Sequence, residues 1–388
     1  MENTFVSDSI IYIGVDDKDI DLFESQYEVP LGVSYNSYLI KDEKIAVMDS
    51  VDCRKQDEWF KNLETALDGK KPDYIIVSHM EPDHASSLQA FAEKYPEAVL
   101  VINDKTKNMI PQFFDMDISA RSLVVKEKDT LSLGKHELEF YMAPMVHWPE
   151  VMMTYEKTDK VLFSADGFGK FGAIDSFDEE GWACEARRYY FNIVGKYGAQ
   201  VQAVLKKVGG LDIKVIAPLH GPVLNDDLGY YIGLYDTWSK YEPETDGIFV
   251  AYGSIHGNTK AAAEKMAEIL KEKGYNKVSV ADLSRDDLHE CVEDAFRYNR
   301  MIIAAATYDA GLFPIVETFV NHLKSKNYQN RKVGFIENGS WAPMAAKKLK
   351  EAFEGMKNVT VAETVVSIKS VMKDKDVEMM DKLAEEMK

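Results

Sequence analysis

Hydrophobic and polar positions follow two different rules on either side of residue 245. Beyond it, short apolar runs alternate with stretches of helical period. Residues 248–252 read as a strand, and 258–273 as a helix with Ala262, Met266, Ile269 and Leu270 on one face, closed by Gly274. A strand at 278–281, a helix over 286–296 and an apolar strand at 301–306 follow. Helix 315–325, strand 332–336, helix 343–355 and strand 359–368 complete the series. Strands spaced by helices of this length predict a doubly wound parallel sheet of five strands with helices on both faces.

The first 245 residues alternate over shorter distances. Apolar runs at 35–40 and 44–48 flank the Asp42-Glu43 turn, and strand–helix pairs follow at 74–78 with 85–93 and at 99–102 with 105–114. Further β runs at 123–125, 136–141, 151–155 and 160–163 precede a long helix within 181–208. The expectation is a mixed α/β domain of two packed sheets with helices outside. Between the halves, Lys240-Tyr-Glu-Pro-Glu-Thr-Asp-Gly247 is charged and broken by Pro243 and Gly247, as linkers are. The predicted domains are therefore 1–245 and 246–388.

Composition narrows the classes. A net charge of −19 in 388 residues repels phosphate backbones and anionic membrane surfaces, which excludes nucleic acid as a partner. No apolar run approaches the roughly 20 residues of a membrane span, and the N-terminus has no secretory pattern. The three cysteines, Cys53, Cys184 and Cys291, form no CxxC pair, which fits a reducing cytoplasm and no disulfide framework.

Chemistry begins at Val77-Ser-His79-Met-Glu81-Pro-Asp83-His84, where four metal-capable side chains fall within six positions after an apolar strand. His79 and His84 are five apart, so they would not share a helix face, and Pro82 argues against a helix there. A loop at a strand end aims alternate side chains at two adjacent points, an array better suited to two metals than to one. His147, Asp166 and His220 also follow apolar runs.

This series, His79-x-Glu81-x-Asp83-His84 with His147, Asp166 and His220, resembles the ligand order of the metallo-β-lactamase fold. Glu81 stands where the usual zinc form has a second histidine. With a flavodoxin-like half behind it, the chain resembles the flavodiiron protein family, as do the runs Gly32-Val-Ser-Tyr-Asn-Ser-Tyr-Leu-Ile40 and His147-Trp-Pro-Glu150. The resemblance implies an N-terminal αββα sandwich in which His79, Glu81 and His147 hold one iron and Asp83, His84 and His220 the other, with Asp166 bridging. His84 either faces its iron or turns away and leaves water there. Imidazoles and hard carboxylates suit iron, and the added carboxylate stabilises an oxidised pair.

A second constellation lies in the other half. The strand at 248–252 runs into Gly253-Ser-Ile-His-Gly-Asn-Thr259 and then a helix. Ser254, Ile255, His256, Gly257, Asn258 and Thr259 thus form a loop whose hydroxyls and amides suit a phosphate. It has neither the P-loop lysine nor the Rossmann glycine spacing, which disfavours ATP and NAD. Thr307, Tyr308, Asp309, Ala310 and Gly311 follow one strand, and Asn338, Gly339, Ser340 and Trp341 follow the next. These three loops resemble those with which flavodoxins hold FMN, phosphate in the first and isoalloxazine between the others.

The resemblance implies an FMN-dependent, non-haem di-iron oxidoreductase that reduces O2 to water, NO to N2O, or both, protecting an anaerobic or microaerobic cell. It further implies a head-to-tail homodimer, or a dimer of such dimers. No rubredoxin cysteine motif is fused at either end, so the expected donor is separate: rubredoxin or a reduced deazaflavin coenzyme. Two other readings stay open here, a zinc hydrolase of the lactamase fold and an electron-carrier flavoprotein with an idle metal site.

Overall fold

In the computed structural model, which describes residues 6–176 and 181–388, the alternating runs of the first half become two facing sheets. One has six strands in the order Ile10–Tyr12, Tyr38–Ile40, Ala46–Met48, Tyr74–Ile76, Val99–Ile102 and Ser122–Val124. The other has five, ordered Thr130–Ser132, Glu137–Met142, Met152–Glu156, Val161–Phe163 and Val215–Ala217. Alternate residues meet between them: Ile10, Tyr38, Ile40, Met48 and Ile76 from one sheet, Leu138, Phe140, Met152 and Phe163 from the other. Each such side chain removed from water is worth roughly 1.5–3 kcal/mol. Residues of opposite parity, Leu39, Val47, Ile75 and Leu100, are buried too. Both faces of the six-stranded sheet are therefore covered, and the helices Gln56–Leu67 and Leu88–Lys94 bury Trp59, Leu63 and Phe91.

Two local expectations are corrected. Pro82 does not prevent a helix: Pro82–Ala85 is one short turn with the proline in its first position, where the missing N–H has no intrahelical partner to lose. The helix expected within 181–208 is interrupted. It runs as Trp182–Tyr189, a π-helical turn Tyr190–Val194, a 3₁₀ turn Gly195–Tyr197 and a helix Gly198–Val208. The helix Leu228–Ser239 was not legible from periodicity, because its mostly apolar and glycine-bearing sequence has little contrast between faces.

The second half is an αβα layer. Its parallel strands lie in the order Val278–Asp282, Thr245–Gly253, Tyr298–Tyr308, Lys332–Asn338 and Thr360–Ile368, which is 2-1-3-4-5 in the order of the chain. Ile248, Val250, Ile302 and Ile336 meet Met266, Leu270, Met380 and Leu383 on one face. On the other, Phe249 contacts Phe319 and Phe335 contacts Phe353. The short strand Gly311–Leu312 pairs antiparallel with the third strand. By spatial compactness the chain forms two units, Met1–Tyr190 with Ala199–Tyr235, and Phe191–Gly198 with Asp236–Lys388. Among the described residues, no helix is long and apolar enough to cross a membrane.

Candidate metal centre and flavin cleft

Four strands of the first unit deliver the metal-capable side chains from the turns beyond their C-terminal ends. His79 follows Tyr74–Ile76, His147 follows Glu137–Met142, Asp166 follows Val161–Phe163 and His220 follows Val215–Ala217. Glu81 caps the Pro82–Ala85 turn, which itself carries Asp83 and His84. Ala165 and Phe168, flanking Asp166, hold left-handed backbone at φ 51° and 67°. Such conformations cost about 1–3 kcal/mol and recur where a side chain must be aimed.

The side chains gather in two groups, His79, Glu81, His147 and Asp166, and Asp83, His84 and His220. In the first, Glu81 Oε2 lies 3.2 Å from His79 Nε2 and 2.9 Å from His147 Nε2. Asp166 Oδ2 lies 3.2 and 3.4 Å from the same nitrogens. In the second, His84 Nε2 is 3.0 Å from His220 Nε2, and Asp83 Oδ2 is 3.1 and 3.2 Å from the two. Asp166 Oδ1 faces this group, 3.5 Å from His84 and 3.8 Å from His220. One carboxylate therefore offers an oxygen to each group, and His84 points inward.

These contacts fit metal ions better than hydrogen bonds. Both oxygens of Asp83 and of Asp166 are buried without a hydrogen-bond partner, a costly state for carboxylates. Metal–ligand bonds of roughly 2.1 Å would place neighbouring ligand atoms roughly 3.0–3.4 Å apart, the separation found here. Without metal, the charges answer one another. Burial would raise Asp83 and Asp166, but the surrounding imidazoles hold both below the usual carboxylate range. Burial likewise lowers the imidazoles, but Asp83 and Asp166 lift His84 to about 10, and Asp166 and Glu81 lift His147 to about 9.

Supporting contacts come from distant segments. Glu150 Oε1 lies 2.7 Å from His79 Nδ1 and accepts from Met80 N–H at 2.9 Å. The Ser34 carbonyl lies 2.7 Å from His220 Nδ1. A proton on each Nδ1 frees Nε2 to ligate and fixes the ring. Asn36 Nδ2 donates to the carbonyls of Pro218 and Gly221, both at 2.8 Å, and Tyr38 donates to Pro218 at 2.7 Å. The 34–38 run thus clamps the turn that carries His220. Of the aromatic residues near the motifs, Trp148 packs edge-on against His79 at 5.3 Å, while Phe171 meets Phe23 and Phe168 stacks on Tyr235 at 4.2 Å. A further cluster, His136, Glu156 and Asp159, is internally satisfied, with His136 Nδ1 at 2.9 Å from Glu156 and Nε2 at 2.7 Å from Ser9 Oγ. It reads as structural.

The second unit has a cleft of about 600 Å³ at the C-terminal ends of its strands, within the range of small-molecule sites. Its lining includes Ile255, His256, Asn258 and Thr259 from the first loop, Thr307, Tyr308, Asp309 and Ala310 from the second, and Asn338, Gly339, Ser340 and Trp341 from the third. Ser254, Gly257 and Gly311 do not line it. Ser254 Oγ instead accepts from Gly257 N–H at 3.1 Å, and Gly257 adopts φ 90° to turn the chain into the helix Asn258–Glu272. Thr307 Oγ1 accepts from Met344 N–H at 2.9 Å and so ties two of the loops together. Ser370, which the sequence did not single out, lines the cleft and bonds both Asn338 and Ser340. The Trp341 ring is 90% exposed beside half-exposed Tyr308. Open aromatic faces over amides at a helix start suit a flat, phosphorylated ring system.

One site is thus built to hold a pair of metal ions, and the other is shaped for a flat, phosphorylated ring system. Comparison with known proteins agrees in both halves. The family described as ODP family beta lactamase matches residues 33–221, and that described as flavodoxin domain matches 249–382. The chain is 29% identical over 360 residues to the anaerobic nitric oxide reductase flavorubredoxin of Salmonella arizonae, covering 89% of this chain and 74% of that one. Rubredoxin oxygen:oxidoreductase from Desulfovibrio gigas superposes with a TM-score of 0.92 at 27% identity, covering 100% of this chain and 98% of that one. The flavodiiron protein from Giardia intestinalis superposes with a TM-score of 0.93 at 25% identity, covering 100% and 97%. Along nearly its whole length the chain is similar to the flavodiiron proteins, and it joins the same two kinds of domain. It is an oxidoreductase whose cofactors are FMN and a pair of irons.

Proposed function

We propose that this protein reduces O2 to water, NO to N2O, or both, with residues 1–245 carrying the di-iron centre and residues 246–388 the FMN. The carrying observation is Asp166, whose two unpartnered oxygens face two separate ligand groups. His79, Glu81 and His147 would hold one iron and Asp83, His84 and His220 the other. When bound, FMN and the irons supply the electrons: four convert O2 to two waters, and two convert a pair of NO to N2O and water.

The protein's own part is to hold and neutralise. Three of the seven ligands are carboxylates, which favour a higher-charged oxidised pair over zinc. Glu150 and the Ser34 carbonyl keep His79 and His220 in the ligating tautomer. In the other half, the loop Ser254 to Thr259 would hold the phosphate, with Ile255, His256, Asn258 and Thr259 facing the cleft and Ser254 and Gly257 shaping the turn. Thr307 to Ala310 and Asn338 to Trp341 would flank the ring. The reading includes a head-to-tail homodimer, or a dimer of dimers, and a separate donor, rubredoxin or a reduced deazaflavin coenzyme. It also places the protein in the cytoplasm.

The test is anaerobic single turnover. The fully reduced protein, with its iron content measured, is mixed separately with limiting O2 and limiting NO. Fast flavin reoxidation by either gas is expected and identifies the substrate. Slow reoxidation by both, in iron-loaded protein, refutes the reductase reading.

A further inference from the structure

Behind the metal loop, in the same unit, lies a pocket of about 130 Å³ that the ligand set does not use. The helices Gly198–Val208 and Leu228–Ser239 form its outer walls, and Leu162 and Ile216 of the five-stranded sheet form its floor. Every lining residue is apolar; Leu205, Val208 and Ile232 stand on the helices. Closed apolar cavities of about this size take up xenon or small apolar molecules, and this pocket has the same kind of lining with one side open. Water and ions gain nothing there, whereas a diatomic gas loses little on leaving water.

Phe168 lines the pocket, and Asp166 stands two residues before it. The ring is pinned by stacking on Tyr235 at 4.2 Å, while the Phe168 N–H donates to the Tyr235 hydroxyl at 2.6 Å. On its other side comes Gly169, where an added Cβ would sit 3.4 Å from both His220 Cβ and the Tyr189 ring. One aromatic residue in left-handed backbone therefore lines the pocket and belongs to the same turn as Asp166. Tyr190, in the same unit, packs edge-on against Tyr235 at 5.1 Å.

We propose that this pocket binds the diatomic substrate on its way to the metal pair, and that Phe168 is the partition the gas must pass. The proposal rests on the gas-reductase reading above. It predicts that the pocket takes up xenon and that filling its mouth slows gas entry without touching either cofactor. Ile232 is at the exposed rim and Leu205 is half-buried, so Ile232→Trp and Leu205→Trp narrow the mouth from two different helices.

The experiment has two arms on the holoenzyme. Crystals pressurised with xenon should show it beside Phe168 in the parent and at lower occupancy in both variants. In stopped flow with the gas concentration varied, both variants should lose several-fold in the second-order constant for flavin reoxidation. Their limiting rate at saturating gas, iron content and FMN content should match the parent. Absence of xenon from the parent pocket overturns the proposal, as do second-order constants equal to the parent in both variants. A parent that reoxidises normally while the variants match it overturns only the pocket. A parent that reoxidises with neither gas overturns the reductase reading and the gas route with it.

Discussion

Replacing Glu150 tests whether the metal centre depends on residues that bind no metal. The carboxylate is 1% exposed, and one oxygen serves both His79 Nδ1 at 2.7 Å and Met80 N–H at 2.9 Å. Glu150→Ala removes both contacts and leaves a buried N–H unpaired, which costs the apoprotein about 1–3 kcal/mol. It also frees the His79 ring to rotate and to change tautomer. Loss of such a partner typically weakens metal binding about 10–100-fold, or about 1.4–2.7 kcal/mol. Glu150→Gln keeps an acceptor at the same place but loses the charge. Charge-assisted bonds are about twice as strong as neutral ones, so the glutamine variant should fall between parent and alanine. The assay is anaerobic titration of apoprotein with ferrous iron against a competing chelator. His79 belongs to only one ligand group, so one of the two iron equivalents should weaken in the order parent, Gln, Ala. The other equivalent and FMN binding should be unchanged. Two equivalents bound by Glu150→Ala as tightly as by the parent would refute the argument.

Other predictions follow from the same geometry. Glu81→Ala should abolish gas-driven turnover while FMN content, read from the flavin spectrum, stays at parent level; retained turnover contradicts the ligand assignment. In the metal-free protein, His84 and His147, raised to about 10 and about 9, hold protons that an unfolded imidazole releases near pH 6.5. The folded state then binds more protons, so apoprotein stability is full below about pH 6.5 and falls as pH rises through about 9 and 10; a urea series across that range checks it. Iron uptake at pH 7.5 must expel those protons, and titration calorimetry in two buffers of different ionisation heat should register their release. Trp341→Ala should leave stability within about 0.5 kcal/mol, because the ring is 90% exposed. It should weaken flavin binding about 2–12-fold, the worth of about 0.5–1.5 kcal/mol of ring stacking, measured by fluorescence titration of the apoprotein with FMN.

Much of this protein is decided by short-range order in its sequence. The alternation of apolar strands and amphipathic helices after residue 245 is local, and it suffices to predict a parallel sheet because each element's period depends only on its own residues. The same holds for His79 to His84, His147, Asp166 and His220. Each follows an apolar run, and a strand end is where the backbone can turn and aim a side chain. What the sequence could not supply is which distant groups those side chains meet. Glu150 reaches His79 across 71 residues, and Ser34 reaches His220 across 186. Neither pairing leaves a trace in periodicity, because sheet packing alone brings the partners together. Pro82 reads locally as a breaker, yet the fold starts a helical turn at it, using the one place where a proline costs no hydrogen bond. The interruption at Tyr190–Val194 is likewise absent from the local pattern. The helical period continues through that stretch, where Tyr189, Tyr190 and Phe191 are all buried.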